Sequence, residues 1–379
     1  MTSRERVVAA TRRQPVDYVP FNGSFNPLSE VQRVGHEWQF PWPPTASADE
    51  QIAYQVEELG LDQIISTGLD VCASVETEER VWLDGEILHK AILTDAGELH
   101  AAVRYSDLWP HGMDIPFFSD FNVGHYVEPW LQTEADLQAF MSLRQTADDE
   151  TLDRRAAGTA ESALARAARY DLATMVHVGT GMTGAQHLFG VRELCMMTIE
   201  QPELVEAYVE FEHQQNLRAL EALGNRGIDF VRRNGFYETA DFYGPAMLER
   251  FLGGRLRAER DAAHAGGMLM TYTIHTGVMP ILDYLVSLGL DGLCGIDIAF
   301  PGVDFLRMVE TLLPVSSLWT GPSSTQHIWK GPEPTRQAVR EVLDTVGKTG
   351  LVLTQCVSSH SIMPWESTAA MIDEWRQLR

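Results

Sequence analysis

The sequence is poor in cysteine and has no long run of apolar residues. Its four cysteines, Cys72, Cys195, Cys294 and Cys356, are far apart and form no Cys-x-x-Cys pair. A disulfide framework is not expected in so long a chain, and the thiols are expected to stay reduced. The first residues are charged and lack the apolar stretch of a signal peptide, and no run of about 18 apolar residues suggests a membrane span. We therefore expect a cytoplasmic protein.

Basic residues are also scarce. Lysine and arginine number 29 against 53 aspartates and glutamates, so the formal net charge is −24. Nucleic-acid binding is not expected, because phosphate contacts need clustered lysine and arginine. Binding to anionic membranes is disfavoured for the same reason. With 379 residues, 45% of them hydrophobic, the chain is long enough to bury a large core.

The order of the predicted elements indicates an α/β fold. From about residue 150 onward, short strand-like runs alternate with longer helix-like segments, which is typical of βα units and a parallel sheet. The number of units favours a distorted (β/α)8 TIM-type barrel over an open sheet. The stretch VWLDGEILHKAILTDAGELHAAVRY contains Asp84-Gly85 and Asp95-Ala96-Gly97 between apolar runs. This pattern predicts a small antiparallel β-hairpin insertion at about residues 80–106. No long linker or internal repeat is found, so we predict a single domain over residues 1–379.

Polar residues follow most of the predicted strands. In a (β/α)8 barrel, function gathers at the carboxyl ends of the strands, so these residues are the candidates for a site. They include histidines, cysteines and carboxylates, which are all ordinary zinc ligands. The spacing is too wide for a local metal motif, and no His-Glu-x-x-His is present. The strand-end residues are Asp70, Cys72, His177, Asn234, Tyr237, Glu238, His275, Cys294, Asp297, Cys356 and His360.

The stretch GTGMTG, residues 179–184, matches the glycine pattern of dinucleotide-binding loops and follows a predicted strand. That fingerprint also requires an acidic residue about 20 positions further on, at the end of the next strand. Glu200 and Glu203 instead flank the start of a long predicted helix. We interpret the stretch as a tight turn that lets a substrate approach the backbone.

Three segments resemble the uroporphyrinogen decarboxylase superfamily, and the likeness runs over nearly the whole chain. SRERVVAATRRQPVDYVPF resembles that superfamily's first helix and the start of its barrel. GLDGLCGIDIAF and SSLWTGPSS resemble its late strands, and LVLTQCVSSHSIMPWES resembles its last strand and the loop after it. The resemblance implies a distorted barrel with the site at the carboxyl ends of the strands.

One branch of this superfamily decarboxylates porphyrins and uses arginines just after the Val-Pro pair to bind carboxylates. Here the stretch FNGSFNPLSEVQ contains no arginine or lysine, and Arg33 is the first basic residue after it. A substrate with many carboxylates would lack its partners. The acid of that branch matches Asp70, so a metal-free decarboxylase that uses Asp70 is the alternative reading.

The other branch consists of zinc-dependent corrinoid methyltransferases, whose metal motif is a His-x-Cys and a distant Cys. His275 matches the histidine and Cys356 the distant cysteine, but Gly277 stands where the family has its middle cysteine. Either no zinc is bound, or another residue completes the ligand shell. Glu238 is the first candidate, because carboxylate is an ordinary zinc ligand, and Cys294 is the alternative. A carboxylate in place of a thiolate makes the zinc a stronger Lewis acid, which suits an ether oxygen. The stretch SDFNVGHYVEPWLQTEADLQAF also resembles the substrate-side component of O-demethylases.

The sequence thus predicts a corrinoid-dependent methyltransferase that removes the methyl group of a methoxylated, aromatic compound. The methyl group would pass to the cobalt of a separate corrinoid protein, with zinc as Lewis acid. Tyr237 or His360 would protonate the leaving oxygen. A non-catalytic barrel that binds a corrinoid partner is a further hypothesis. The predicted substrate-binding residues are Asn22, Asn26, Asn122, His125 and His177.

Overall fold

The computed structural model describes residues 1–23, 46–118, 123–356 and 363–379. The strands are β1 Ile64–Gly68, β2 Glu78–Asp84, β3 Ile87–Thr94, β4 Gly97–Arg104, β5 Tyr126–Glu128, β6 Ala173–Val178, β7 Phe230–Asn234, β8 Leu269–Thr273, β9 Gly292–Cys294, β10 Ser317–Thr320 and β11 Leu351–Leu353. The helices are α1 Ser3–Thr11, α2 Ala48–Glu57, α3 Glu134–Leu143, α4 Asp149–Ala168, α5 Gly181–Phe189, α6 Val191–Glu200, α7 Pro202–Leu223, α8 Pro245–Leu248, α9 Gly254–Ala265, α10 Leu282–Leu288, α11 Phe305–Leu312, α12 Pro332–Val346 and α13 Trp365–Leu378. A π-helical turn, Glu249–Gly253, joins α8 to α9.

Seven strands form one parallel sheet in the order β1-β6-β7-β8-β9-β10-β11. A short segment around Phe21 hydrogen-bonds to both outer strands. Leu353 donates its N–H to the Pro20 carbonyl at 2.8 Å, and Asp62, just before β1, donates to the Phe21 carbonyl at 2.9 Å. The sheet therefore curls so that its first and last strands meet through this segment. The predicted α/β fold of the TIM-barrel type is confirmed.

The predicted antiparallel insertion is also confirmed, and it is larger than a hairpin. Strands β2, β3, β4 and β5 form a four-stranded antiparallel sheet. On the inner face, Leu88, Ile92, Leu99 and Val103 are buried in the main hydrophobic core. The sheet packs there against α3, so the insertion is joined to the barrel by apolar burial rather than by a flexible link.

The lower half of the barrel interior is apolar. Its residues form a cluster separate from the core between the sheet and the outer helices, and α1 closes this end with Val7 and Ala10. The strands contribute Ile64, Ala173, Met175, Phe230, Cys294, Trp319 and Val352. These side chains fill the amino-terminal end of the barrel. The carboxyl ends of the strands therefore form its open mouth.

Helix α1 is held under the barrel by a buried ion pair. Arg6 donates from Nη1 to Asp62 Oδ1 at 2.6 Å, and both side chains are almost fully buried. Thr2 begins the helix with a capping box in which its hydroxyl accepts the Glu5 N–H. Among the described helices, none combines the length and the apolar character needed to cross a membrane.

Candidate active site

The upper half of the barrel interior is polar. Side chains alternate along a strand, so the residues two positions beyond Met175 and Phe230 share their inward face. These residues are His177 and Arg232, which lie side by side in register, and Arg232 in turn lies beside Thr271 of β8. Asn234 and Thr273, again paired across neighbouring strands, lie one level nearer the mouth. The barrel therefore changes from an apolar floor to a polar layer beneath its mouth.

Arg232 is the cation of this layer. Its guanidinium lies 3.5 Å from Thr271 Oγ1 and 3.4 Å from Cys294 Sγ, and over the Trp319 ring at 5.0 Å. Burial, together with the charge of Arg232, lowers the pKa of His177 to about 4. His177 is therefore a neutral imidazole at physiological pH.

His275 and Cys356 meet at the same segment of backbone. His275 Nδ1 lies 2.8 Å from the Gly295 carbonyl, and Cys356 Sγ donates to the next carbonyl, that of Ile296, at 3.1 Å. Because a carbonyl only accepts, Nδ1 carries the proton, and Nε2 of the neutral ring keeps its lone pair. The His275 ring stacks on Phe236 with a centroid separation of 5.3 Å. His275 and Cys356 thus bind successive carbonyls of the segment that follows β9.

The Cys356 thiol is protonated in this setting. Burial raises its pKa to about 12, and the nearby carboxylate of Asp297 acts in the same direction. A thiol in this state is a weak nucleophile and a weak ligand until its proton leaves. Binding of a metal ion would therefore have to displace a proton that the Ile296 carbonyl now accepts.

Asp297 organises the neighbouring loop. Its Oδ2 accepts a hydrogen bond from Ser323 Oγ at 2.8 Å, and the Ser323 N–H donates to His327 Nδ1 at 3.1 Å. The sequence placed Asp297 among the strand-end residues, but Ser323 and His327 were missed. They lie in the loop after β10, where no local spacing marks them. The fold brings this loop to the end of β11 through a parallel bridge between Ser323 and Cys356.

Glu238 belongs to a buried charge network. Its Oε1 accepts the Met182 N–H at 2.7 Å and lies 3.7 Å from Arg233, and its Oε2 accepts the Tyr272 hydroxyl. Arg233 also lies 3.3 Å from Glu259. Burial raises the pKa of Glu238 to about 7. Both carboxylate oxygens are engaged inside the protein, and none of their contacts involves His275 or Cys356.

The glycine-rich stretch is the start of a helix rather than an open turn. Helix α5 begins at Gly181, and the N–H groups of Thr180 and Gly181 donate to the Glu212 carboxylate. The Met182 N–H is bound by Glu238, as above. The predicted turn is therefore limited to Gly179 and Thr180, which line the smaller cavity described below. The protein's own carboxylates occupy the N–H groups of Thr180, Gly181 and Met182, so these groups are not free to bind an incoming oxygen.

The donors predicted for zinc do not form a complete site within the described part of the chain. There, no three or more histidine, cysteine or carboxylate side chains are arranged to hold a metal ion. A catalytic zinc needs about three protein ligands. His275 and Cys356 are bound to neighbouring carbonyls, Glu238 is engaged with Arg233 and Tyr272, and the alternative Cys294 faces the Arg232 cation. Among the described residues, the predicted donors therefore supply two of the about three ligands that a catalytic zinc needs.

Two cavities lie near the strand ends. The smaller, about 380 Å³, contains Asp70, Arg144, His177, Tyr208 and Asn234 in its wall. Because His177 and Asn234 also belong to the polar layer, this cleft adjoins the barrel mouth. Aromatic residues Phe118, Phe140 and Phe211 complete much of its wall.

The larger cavity, about 940 Å³, lies between the insertion and the barrel. It brings together two predicted site residues, His125 and Tyr237, with Trp109, Tyr126 and Phe242. The two cavities share no wall residue. The structure therefore divides the predicted site residues between two places.

Of the other predicted residues, Asn22 lies away from both cavities and Asp70 lies at the exposed rim of the smaller one. The Asn22 side chain donates to the Asp62 carbonyl at 3.2 Å, so it lies where the curled sheet closes. The Asp70 side chain is 74% exposed and lies 3.7 Å from Arg155. Asn26, Asn122 and His360 lie outside the described residues.

Comparison with known proteins adds a full-length structural match. A methyltransferase from Methanosarcina mazei superimposes with a TM-score of 0.58 and 17% identity, covering 100% of this chain and 99% of that one. The chain shares the fold of this methyltransferase. Two further matches are partial. A 3-keto-D-glucoside 4-epimerase from E. coli matches 60% of this chain and 86% of its own, with 13% identity and a TM-score of 0.38. A B12-independent methionine synthase from Shewanella sp. matches 58% of this chain and 67% of its own, with 12% identity and a TM-score of 0.36. Neither TM-score is high enough to support an argument about function. No family model matches the sequence, and no curated protein does either.

Proposed function

We propose that this protein is the substrate-side methyltransferase of a corrinoid-dependent demethylation system, acting on a methoxylated aromatic compound. The observation that carries the proposal is the meeting of His275 and Cys356 on the carbonyls of Gly295 and Ile296. These are the two residues that match the metal positions of the corrinoid methyltransferases. The full-length likeness in fold to a methyltransferase supports the same assignment.

The substrate ring is proposed to lie in the cleft of about 380 Å³, whose volume suits a small molecule. Phe118, Phe140 and Phe211 supply apolar and aromatic contacts for a planar ring. His177 and Asn234 would direct the methoxy group towards the polar layer. The methyl group would then leave through the open barrel mouth, where a partner protein that carries a reduced corrinoid docks.

Zinc enters the proposal as an ion bound by His275 and Cys356, because imidazole and thiolate are ordinary zinc ligands. When bound, it would supply Lewis acidity to an ether oxygen. Because the described residues provide two donors, metal analysis tests the assignment directly. We expect about one zinc per chain in the wild type and its loss in both His275→Ala and Cys356→Ala. Stoichiometric zinc retained in both variants would exclude these ligands.

The reaction is tested with the full chain, a reduced corrinoid protein and a panel of methoxybenzenes. We expect a free phenol and an alkylated corrinoid to form together, and only when both proteins are present. Tyr237→Phe then tests the predicted proton donor, because Tyr237 lies in the larger cavity rather than beside His177. An unchanged rate in this variant would remove Tyr237 from the mechanism.

The alternative decarboxylase is tested in the same experiment. If the protein releases carbon dioxide from a porphyrinogen in the absence of a corrinoid protein, the decarboxylase assignment replaces the proposal. Asp70 would then be required. Its carboxylate is largely exposed and lies near Arg155, so Asp70→Asn is expected to fold normally and to report on catalysis alone.

A further inference from the structure

Arg232 has no carboxylate partner among the described residues. Its polar contacts are the hydroxyl of Thr271 and the sulfur of Cys294, at 3.5 Å and 3.4 Å. The adjacent Arg233, on the other face of the strand, instead lies within 4 Å of three glutamates, Glu212, Glu238 and Glu259. The chain has a net charge of −24, and yet the described residues give this interior cation no carboxylate within ion-pair distance.

The groups around Arg232 are neutral and include an unused hydrogen-bonding group. His177, its neighbour in register, is neutral at physiological pH. Thr273 is 7% exposed, and its hydroxyl has no hydrogen-bond partner among the described residues. A half-buried cation beside an unpartnered hydroxyl is unfavourable unless an acceptor satisfies both. Arg232 and Thr273 lie on neighbouring strands, on the inward face, and together offer N–H and O–H donors to an oxygen atom.

A cleft adjoins Arg232 and Thr273 through their neighbours in register, His177 and Asn234. His177 and Asn234 belong to the polar layer and to the wall of the cleft of about 380 Å³. A ring in that cleft would present one substituent to the layer and keep its faces against phenylalanine side chains. The substituent that reaches Arg232 is then an oxygen carried directly on the ring.

We propose that Arg232 and Thr273 bind the phenolate oxygen that demethylation leaves on the aromatic ring. This inference rests on the proposed function. The bond between the methyl carbon and the oxygen breaks, and its electron pair stays on that oxygen. The methyl carbon forms its new bond with the electron pair of the reduced cobalt in the corrinoid partner. The negative charge therefore develops on the ring oxygen, where the guanidinium stabilises it more in the transition state than in the neutral ether.

The test uses 4-nitrophenol, whose ionisation changes its visible absorbance, bound to the full chain without a corrinoid partner. We expect binding to lower the pKa of the phenol by at least about one unit, a tenfold gain in ionisation equal to about 1.4 kcal/mol. Arg232→Met should abolish the shift, and Arg232→Lys should retain part of it. Arg192→Met, which removes an exposed charge on α6, should behave like the wild type.

Several outcomes overturn the proposal. It fails if the wild type does not bind 4-nitrophenol or does not change its pKa, a result that needs no variant to fold. It also fails if Arg232→Met binds neutral 4-nitroanisole normally and still lowers the phenol pKa. In the methyl-transfer assay, Arg232→Met should lower kcat roughly 100-fold or more while KM changes little. A wild type that ionises the phenol but transfers no methyl would refute the proposed function and leave the phenolate site intact.

Discussion

Glu238 is a carboxyl group whose ionisation opposes folding. Its pKa is raised to about 7 by burial, above the ordinary value of 4.5. Between these two values the folded state binds more protons than the unfolded state, so stability falls as pH rises through this window. Glu238→Gln removes the titration.

We expect the wild type to lose roughly 3 kcal/mol relative to Glu238→Gln between about pH 4.5 and pH 8. Urea unfolding of both proteins at several pH values measures this difference. A difference that stays constant with pH would show that Glu238 is ionised throughout and that its pKa is not raised.

Gly277 explains why the chain departs from the His-x-Cys motif. Its φ is +59°, and a Cβ added here would lie 2.7 Å from both the backbone nitrogen and the Cγ of Asp241. A cysteine at this position is therefore both strained and in contact with backbone that cannot move freely. A thiolate at position 277 is therefore disfavoured by the local backbone and by Asp241.

We expect Gly277→Cys to lower the free energy of unfolding by about 1–3 kcal/mol without raising the zinc content. Gly302→Cys is the matched control, because Gly302 has a φ of +88° and open space where its Cβ would lie. Chemical denaturation separates the two contributions, backbone strain and contact with Asp241. Equal losses in both variants would mean that Asp241 moves aside at no cost.

At the scale of elements, α1 acts as the closure of the barrel floor. Arg6 links it to Asp62, which lies just before β1 and also accepts the N–H of Phe21. The two side chains are 4% and 2% exposed. Removing the cation leaves a buried carboxylate without its partner, which is a strongly unfavourable state.

We expect Arg6→Met to cost about 3–5 kcal/mol of stability. Arg12→Met, on the exposed side at the end of the same helix, should cost less than about 1 kcal/mol. Adding Asp62→Asn to Arg6→Met should recover part of the loss, since the uncompensated charge is then gone. Thermal or urea unfolding provides the measurement, and no recovery in the double variant would contradict the ion-pair explanation.

Element by element, the sequence predicted the parallel strands and long helices well because their apolar periodicity is strong. The long helix Pro202–Leu223 is confirmed at both ends. Helix α5 was missed because glycines at residues 179, 181 and 184 are typical of a turn. It forms because Glu212 and Glu238 bind the first N–H groups, and those acids are 28 or more residues away in the chain. Local propensity does not contain that interaction.

For the whole molecule, the net charge of −24 is the dominant electrostatic property. Mutual repulsion among the excess carboxylates destabilises the compact state and is screened by salt. We expect the melting temperature to rise by a few degrees between about 10 mM and 500 mM sodium chloride. Surface ion pairs oppose this trend, but such pairs contribute little individually. A melting temperature that falls with salt would mean that the ion pairs outweigh the repulsion.

The sequence by itself determined the fold class and the antiparallel insertion, and it proposed the two residues His275 and Cys356. The first two depend on periodicity and turn chemistry, and the proposal depends on motif positions that can be read along the chain. The tertiary structure decided which side chains meet. It assigned Glu238 to Arg233, placed Tyr237 in a different cavity from His177, and gave Arg232 no carboxylate partner within the described parts of the chain. The reason is physical: strand register and burial fix the partners and the pKa of a side chain, and both depend on residues far away in the sequence.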